Sequence, residues 1–90
     1  MAVEVRIPTI LRTFTGGAKA VQGDGPTLLA VIDDVNARNP GLKDRLVEAD
    51  NLRRFVNVYV NDEDVRFSGG LGAATADGDV IVVLPAVAGG

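Results

Sequence analysis

The stretch Asp77-Gly78-Asp79-Val80-Ile81-Val82-Val83-Leu84-Pro85 decides the fold of this chain. Its first three residues are typical of a tight turn, and the apolar run that follows predicts a β-strand over 80–84. Because successive strand residues point to opposite faces of a sheet, this strand is apolar on both faces. Such a strand either occupies the centre of a sheet that is covered on both sides or offers one face to another protein.

Working back from that strand, alternation of apolar and polar residues predicts the rest of the sheet. The predicted strands are 3–7, 18–22, 56–60, a short returning strand at about 65–67, and 80–84. In the 56–60 strand, Val58 belongs to one face while Phe55 and Tyr59 belong to the other. Residues 10–15, 48–51 and 69–72 are predicted to be loops.

One main helix is predicted between the second and third strands. Thr27 or Asp24 is a candidate N-cap, and Asn39-Pro40-Gly41 ends the helix. Its apolar positions follow the i, i+3, i+4, i+7 spacing of a single buried stripe, namely Leu28, Val31, Ile32 and Val35. A short helical turn is predicted at 42–47. The ββαββ order with a final β-strand predicts an α+β fold, a mixed sheet of four to five strands packed on one main helix.

Composition limits the classes of function. The chain has 90 residues, 47% of them hydrophobic, which is typical of one globular domain. Its net charge of −3 argues against nucleic-acid binding, which needs a basic stripe, and suits a partner whose docking face is basic. The absence of cysteine fits a reducing compartment, and the longest apolar run, 80–84, is too short to cross a membrane. We therefore expect a cytoplasmic protein with no membrane partner.

Catalysis by the chain itself is not expected. It has no His and no Cys, which removes the imidazole base, the thiol nucleophile and the usual zinc ligands. Neighbouring acids occur at Asp33-Asp34, at 62–64, and at Asp77 and Asp79, but on a helix face and in turns where acids are common for backbone reasons. We expect no catalytic residues, no metal site and no bound cofactor.

The most reactive group is the carboxylate of Gly90, which follows Gly89. An α-carboxyl group is ionised at neutral pH and is then a poor electrophile, so a partner must activate it, for example as an adenylate. Glycine has no Cβ and lets backbone approach a ligand closely, which suits insertion into a narrow active site. A frayed terminus is the alternative interpretation.

A docking function is favoured for the last strand because it leads directly into this tail. We expect a folded domain at 1–84 and a flexible tail at 85–90, whose six residues reach about 20 Å when extended. The residues expected to thread a partner's active site are Val87, Ala88 and Gly89, which precede Gly90. The residues expected to form the docking face are Phe55, Tyr59, Ile81 and Val83, with Arg53 and Arg54 as a salt-dependent rim.

The element order, the 77–79 turn, the 80–84 strand and the terminal Gly-Gly together resemble the ubiquitin-like β-grasp sulfur carriers of the ThiS and MoaD type. The resemblance covers the whole chain. It is closest to the CysO-type subgroup, which serves cysteine biosynthesis, and is carried most specifically by residues 55–70 and 84–90.

This resemblance implies a cycle of activation and sulfur transfer. An E1-like adenylyltransferase/sulfurtransferase would use ATP to adenylate Gly90, and a sulfur donor would convert the adenylate to a thiocarboxylate. The acceptor enzyme would be a pyridoxal-phosphate cysteine synthase-like enzyme, which uses an activated serine, or a thiosugar synthase-like enzyme. A metalloprotease that processes the C-terminus or cleaves the adduct is a further implied partner.

Two other functions stay open. A ubiquitin-like modifier would form isopeptide bonds with lysines of other proteins through Gly90. A regulatory binding module would use only its sheet face, and deletion of Gly90 would then change nothing.

Overall fold

The computed structural model describes residues 2–54 and 56–85. Within these ranges the chain forms seven β-strands, two α-helices and three 3-10 helices. In chain order they are β1 (Val3–Arg6), a 3-10 helix (Thr9–Thr15), β2 (Ala20–Gly23), α1 (Leu28–Arg38), α2 (Leu42–Leu46), β3 (Val47–Glu48), β4 (Asn51–Leu52), β5 (Val56–Val60), β6 (Glu63–Asp64), two 3-10 helices (Val65–Phe67 and Gly70–Gly72) and β7 (Val80–Pro85).

The main sheet has five strands in the order β2-β1-β7-β5-β6. β7 pairs in parallel with β1 and antiparallel with β5, so the sheet is mixed, as the sequence predicts. The apolar strand at the end of the chain therefore lies at the centre of the sheet. The predicted α+β class is confirmed.

Helix α1 buries its predicted stripe against one face of this sheet. The side-chain oxygen of Thr27 accepts a hydrogen bond from the Ala30 N–H at 3.2 Å, so Thr27 is the N-cap. All four stripe residues are buried, and they pack with inward side chains of three strands: Val3, Val5, Val58, Ile81 and Val83. Each fully buried side chain of this size contributes about 1.5–3 kcal/mol through the hydrophobic effect.

All three predicted loops contain ordered elements, and in residues 69–72 this element is the 3-10 helix Gly70–Gly72. Residues 48–51, expected to be a loop, belong to a small hairpin in which Glu48 pairs with Asn51. Its two turn residues, Ala49 and Asp50, have φ values of 50° and 66°, which is the backbone of the primed turns that join two-residue hairpins. Residues 10–15 lie in the 3-10 helix Thr9–Thr15.

The returning strand lies earlier than predicted. Asn61 and Asp62 have φ values of 49° and 71°, so a two-residue turn brings Glu63 directly opposite Val60. The Asp64 side chain then accepts a hydrogen bond from the Arg66 N–H at 2.9 Å. This cap starts the 3-10 helix Val65–Phe67 where a strand was expected.

Candidate functional site

The functional residues predicted at the end of the chain follow β7. That strand ends at Pro85, the last described residue, and Val87, Ala88, Gly89 and Gly90 lie outside the described residues. The antiparallel register places Pro85 opposite Val56. The end of β7 therefore lies beside the start of β5, close in sequence to Arg53 and Arg54.

The predicted docking role of Ile81 and Val83 is wrong. Their exposed fractions are 1% and 3%, and both belong to the core. The reason lies in the register, because Val83 is opposite Val58 and Ile81 is opposite Val60. Residues directly opposite in a sheet share a face, so the buried Val58 fixes Val83 on the inner face.

The outward residues of β7 are Val80, Val82 and Leu84. Leu84 is 46% exposed, and Val82 lies opposite Tyr59 on one side and Arg6 on the other. Tyr59 is half-buried on this outer face, as predicted, whereas Phe55 lies outside the described residues. Alternation along β7 places Val82 and Leu84 on the face opposite to Ile81 and Val83. These two outward residues therefore follow from the sequence once the buried face of the strand is known.

One groove lies on the β1 side of the point where β7 ends. It encloses about 560 Å³ and is lined by exposed apolar side chains, including Ile10 at 67% exposure, together with Leu84 and Pro85. Its charged lining residues are all cations: Arg6, Arg12 and Lys19. Arg6 is paired with Glu4 at 2.7 Å, while Arg12 donates from Nε to the Ile7 carbonyl oxygen at 3.1 Å.

A second groove, of about 760 Å³, lies on the β5 side and also contacts Ile10 and Pro85. Its charged lining residues are Arg45, Arg53, Arg54 and one acid, Glu48. Arg53 is held by Glu48 at 2.9 Å and by the Asp44 carbonyl oxygen at 2.8 Å. The guanidinium carbon of Arg45 lies 5.5 Å from the Phe14 ring centroid, a cation–π distance. The predicted rim residues Arg53 and Arg54 thus lie beside the end of β7, together with cations that the sequence analysis did not select.

Three of the neighbouring acids, Asp33, Asp34 and Asp79, have structural partners. Asp33 is paired with Lys43 at 2.5 Å. The Arg38 side chain hydrogen-bonds Asp34 and lowers the pKa of that carboxyl below 3.8, helped by the Asp24 N–H. The Asn61 side chain and the Ala76 N–H likewise lower the pKa of Asp79. Both carboxylates are thereby held in the charged form, as hydrogen-bond acceptors and not as acid–base groups.

Residues 2–54 and 56–85 contain no group of three or more His, Cys, Asp or Glu side chains placed to hold a metal ion. Among the same residues no helix has the length and apolar character needed to span a bilayer.

A five-stranded mixed sheet packed on one main helix, with a central last strand leading into the Gly-Gly tail, defines a small β-grasp carrier or modifier. The chain belongs to the ThiS family, whose model matches residues 5–90. The sulfur carrier protein CysO of Mycobacterium tuberculosis is 59% identical, and the alignment covers 100% of both chains. In the crystal structure of the Amycolatopsis orientalis BexX/CysO complex, a chain 64% identical to this one superposes with a TM-score of 0.95, covering 99% of this chain and 100% of that one.

A more distant relative carries a different kind of name. Small archaeal modifier protein 3 of Haloferax volcanii is 37% identical, and the alignment covers 100% of both chains. The ubiquitin-like β-grasp fold and the resemblance to the CysO-type carriers are both confirmed by these comparisons. The relatives named as sulfur carrier proteins are carriers rather than catalysts, which agrees with the expectation from the sequence.

Proposed function

We propose that this chain is a sulfur carrier whose Gly90 carboxylate is adenylated by an E1-like enzyme and converted to a thiocarboxylate. The observation that carries the proposal is 59% identity over the full length to a protein named as a sulfur carrier. The position of β7 supports it, because the last described residue of this central strand leads straight to the predicted reactive terminus.

The chemistry divides between the carrier and its partners. In the activating enzyme, a Gly90 carboxylate oxygen attacks the α-phosphorus of ATP, and pyrophosphate leaves. A sulfur nucleophile then attacks the acyl carbon, and AMP leaves with the bonding electrons. The carrier itself holds no cofactor in this scheme. It contributes a tail without side-chain bulk at Gly89 and Gly90, together with a surface that positions that tail.

The surface proposed for docking is the outer sheet face around Tyr59, Val82 and Leu84, with Arg53 and Arg54 beside it. Leu84 and the neighbouring Ile10 are exposed apolar side chains, a feature of sites that bind other proteins. The Amycolatopsis complex supports pairing with a partner enzyme, because it contains a chain 64% identical to this one. The proposed location is the cytoplasm, where ATP and an activating enzyme are available together.

The proposed acceptor enzyme is cysteine synthase-like and uses an activated serine on pyridoxal phosphate, in keeping with the CysO relatives. A thiosugar synthase-like acceptor is the alternative within the same chemistry. A metalloprotease that trims the carrier or cleaves its adduct would complete the cycle.

A second candidate function is protein modification, favoured by the 37% identical archaeal modifier protein. The same activated Gly90 would then be attacked by a lysine amine of another protein instead of by sulfur. The two functions share the first step and differ in the nucleophile.

Intact mass spectrometry tests the proposal. The purified chain is incubated with extract of its source cells, ATP and a sulfide donor, beside a Gly90 deletion and an Ala37→Asp control on the exposed face of α1, which keeps the whole tail. Replacement of one terminal oxygen by sulfur in the wild type and in the control, absent from the deletion, is the expected result. An unchanged mass in an extract that thiocarboxylates a known carrier would overturn the proposal, and attachment to lysines of other proteins would favour modification.

A further inference from the structure

The charge of this chain is divided unevenly over its surface. The two grooves beside the end of β7 are lined by six of the nine Lys and Arg residues of the chain but by one of its twelve Asp and Glu residues. The rest of the chain keeps three basic residues and eleven acidic ones. We call the six cations the collar: Arg6, Arg12, Lys19, Arg45, Arg53 and Arg54.

Most of the collar has no acidic partner among the residues that the structure describes. Arg6 and Arg53 have ion-pair partners, Glu4 and Glu48. Within the described part of the chain, the other four collar residues have no carboxylate within 4.0 Å: Arg12, Lys19, Arg45 and Arg54. Lys19 and Arg54 are exposed, and they lie in different grooves on either side of Pro85. The collar therefore presents positive charge, unpaired within the described residues, around the end of β7.

The local charge, and not the net charge, governs docking at this end. Exposed charges are screened beyond about 8 Å at physiological ionic strength, whereas the shortest extent of the molecule is 24 Å. A partner that approaches the end of β7 thus experiences mainly the collar and the two acids paired with it, Glu4 and Glu48. The net charge of −3 led to the expectation of a basic docking face on the partner, whereas the local excess of cations at this end favours an acidic one.

We propose that the collar docks on an acidic protein surface, a ring of Asp and Glu side chains around the mouth of the channel that takes up residues 86–90 in the activating enzyme. This inference rests on the proposed function and deepens it. Complementary charges at the rim of an interface steer encounter and raise the association rate. They would also orient the carrier, because the acidic residues on the rest of the chain would be repelled by the same acidic ring.

The apolar residues that line the two grooves favour a protein over a nucleic acid as the binding partner of the collar. Ile10 and Leu84 are exposed between the cations, and Phe14 lines the second groove. Exposed apolar side chains between cations match a protein interface, with an apolar centre and a polar rim. A nucleic-acid site would instead align its cations along a phosphate backbone.

The association rate constant of the chain with the E1-like activating enzyme of its source organism tests the proposal. The collar variant Lys19→Gln/Arg54→Gln is compared with Arg38→Gln/Lys43→Gln, which removes the same charge from helices α1 and α2. At low ionic strength we expect the collar variant to associate about fivefold more slowly than the wild type and the control to stay within about twofold. The wild-type rate should also fall more steeply with added salt than that of the collar variant.

Other outcomes overturn the proposal. Equal rates for the two double variants would show that net charge, and not the collar, steers association. Salt-dependent self-association of the chain alone, lost in the collar variant, would assign the collar to the acidic residues of a second copy. Tight, salt-dependent binding of single-stranded DNA would assign it to nucleic acid.

The sulfur-transfer step is measured separately, by the mass of the wild-type chain after the same incubation. If the thiocarboxylate forms but the association rate constant does not change with salt and is the same for the wild type and both double variants, the collar proposal alone is overturned. Salt-steered association with the activating enzyme but no thiocarboxylate would support the collar and overturn the sulfur-carrier function.

Discussion

Tyr59 lies directly opposite Val82 on the neighbouring antiparallel strand, and both belong to the sheet face turned away from α1. The next outward residue of β7, Leu84, is 46% exposed and lines the groove that begins at Pro85. This pair therefore connects the outer sheet face to the start of the tail. Under the proposed function, a partner that holds the outer face would also meet the end of β7.

We predict that Val82→Asp raises the KM of the activating enzyme for the carrier about tenfold, which corresponds to about 1.4 kcal/mol of binding. A carboxylate in the middle of an apolar contact is costly to desolvate, and Arg6 opposite position 82 offsets only part of that cost because it is already paired with Glu4. The measurement is ATP–pyrophosphate exchange as a function of carrier concentration, with Ala37→Asp on the exposed face of α1 as the matched control. Equal KM values for the two variants would exclude the outer face from docking.

Ile81, one residue away, should behave in the opposite manner. Because Ile81 is 1% exposed, Ile81→Ala is expected to lower the free energy of unfolding by about 2–5 kcal/mol, the usual cost of a core cavity. Val82→Ala, on the outer face, should cost less than about 1 kcal/mol. Urea denaturation followed by circular dichroism compares the two, and similar losses would contradict the assignment of inner and outer faces.

The N-cap of α1 gives a prediction about local stability. Thr27→Ala removes the oxygen that accepts the Ala30 N–H and should lower the free energy of unfolding by about 1 kcal/mol. Thr27→Ser keeps an acceptor and should retain most of that stability. A Thr27→Ser variant as unstable as Thr27→Ala would show that the methyl group, and not the hydrogen bond, matters.

Gly25 should not tolerate a side chain. A Cβ there would lie 2.6 Å from the Ala30 Cβ and 2.9 Å from the Val31 backbone nitrogen, and backbone cannot yield as a flexible side chain does. We expect Gly25→Ala to cost about 1–3 kcal/mol in thermal or urea unfolding. Gly72→Ala is the control, because a Cβ at Gly72 meets nothing within 4 Å, and it should be close to neutral.

Asp34 and Asp79 give a pH dependence. Hydrogen bonds, chiefly from Arg38 and from Asn61, lower the pKa of each carboxyl below 3.8 in the folded chain. Their contribution to stability is therefore complete above the unfolded pKa and is lost as the pH falls through the lower folded value. We expect the free energy of unfolding to decrease on acidification below about pH 4.

Replacement by asparagine should isolate this effect. Asp34→Asn and Asp79→Asn should each flatten the fall in stability with acidification. Asp62→Asn changes a turn acid for which the described residues provide no hydrogen-bond partner, and it should leave the slope unchanged. Urea unfolding between pH 2.5 and 6 measures the slopes, and an equal slope for all variants would contradict the assignment.

Local patterns predicted much of this molecule because they depend on neighbouring residues. The helical stripe of α1, the cap at Thr27, the strand Val56–Val60 and the final strand are all where period and turn residues place them. The returning strand was misplaced because Asn61 and Asp62 both adopt left-handed backbone, and their sequence alone does not require it. The hairpin at Ala49 and Asp50 was missed for the same reason.

The sequence by itself determined the elements, the family and the predicted reactive terminus, since these follow from periodicity, turn chemistry and motif. Only the tertiary structure decided which face of β7 is buried, because that depends on its register against Val58 in a distant part of the chain. Likewise, Lys19 and Arg54 are far apart in sequence, and strand pairing brings the segments that carry them to the two sides of Pro85. Alternation along a strand is local, but register and the gathering of charge arise from long-range pairing, which no local pattern specifies.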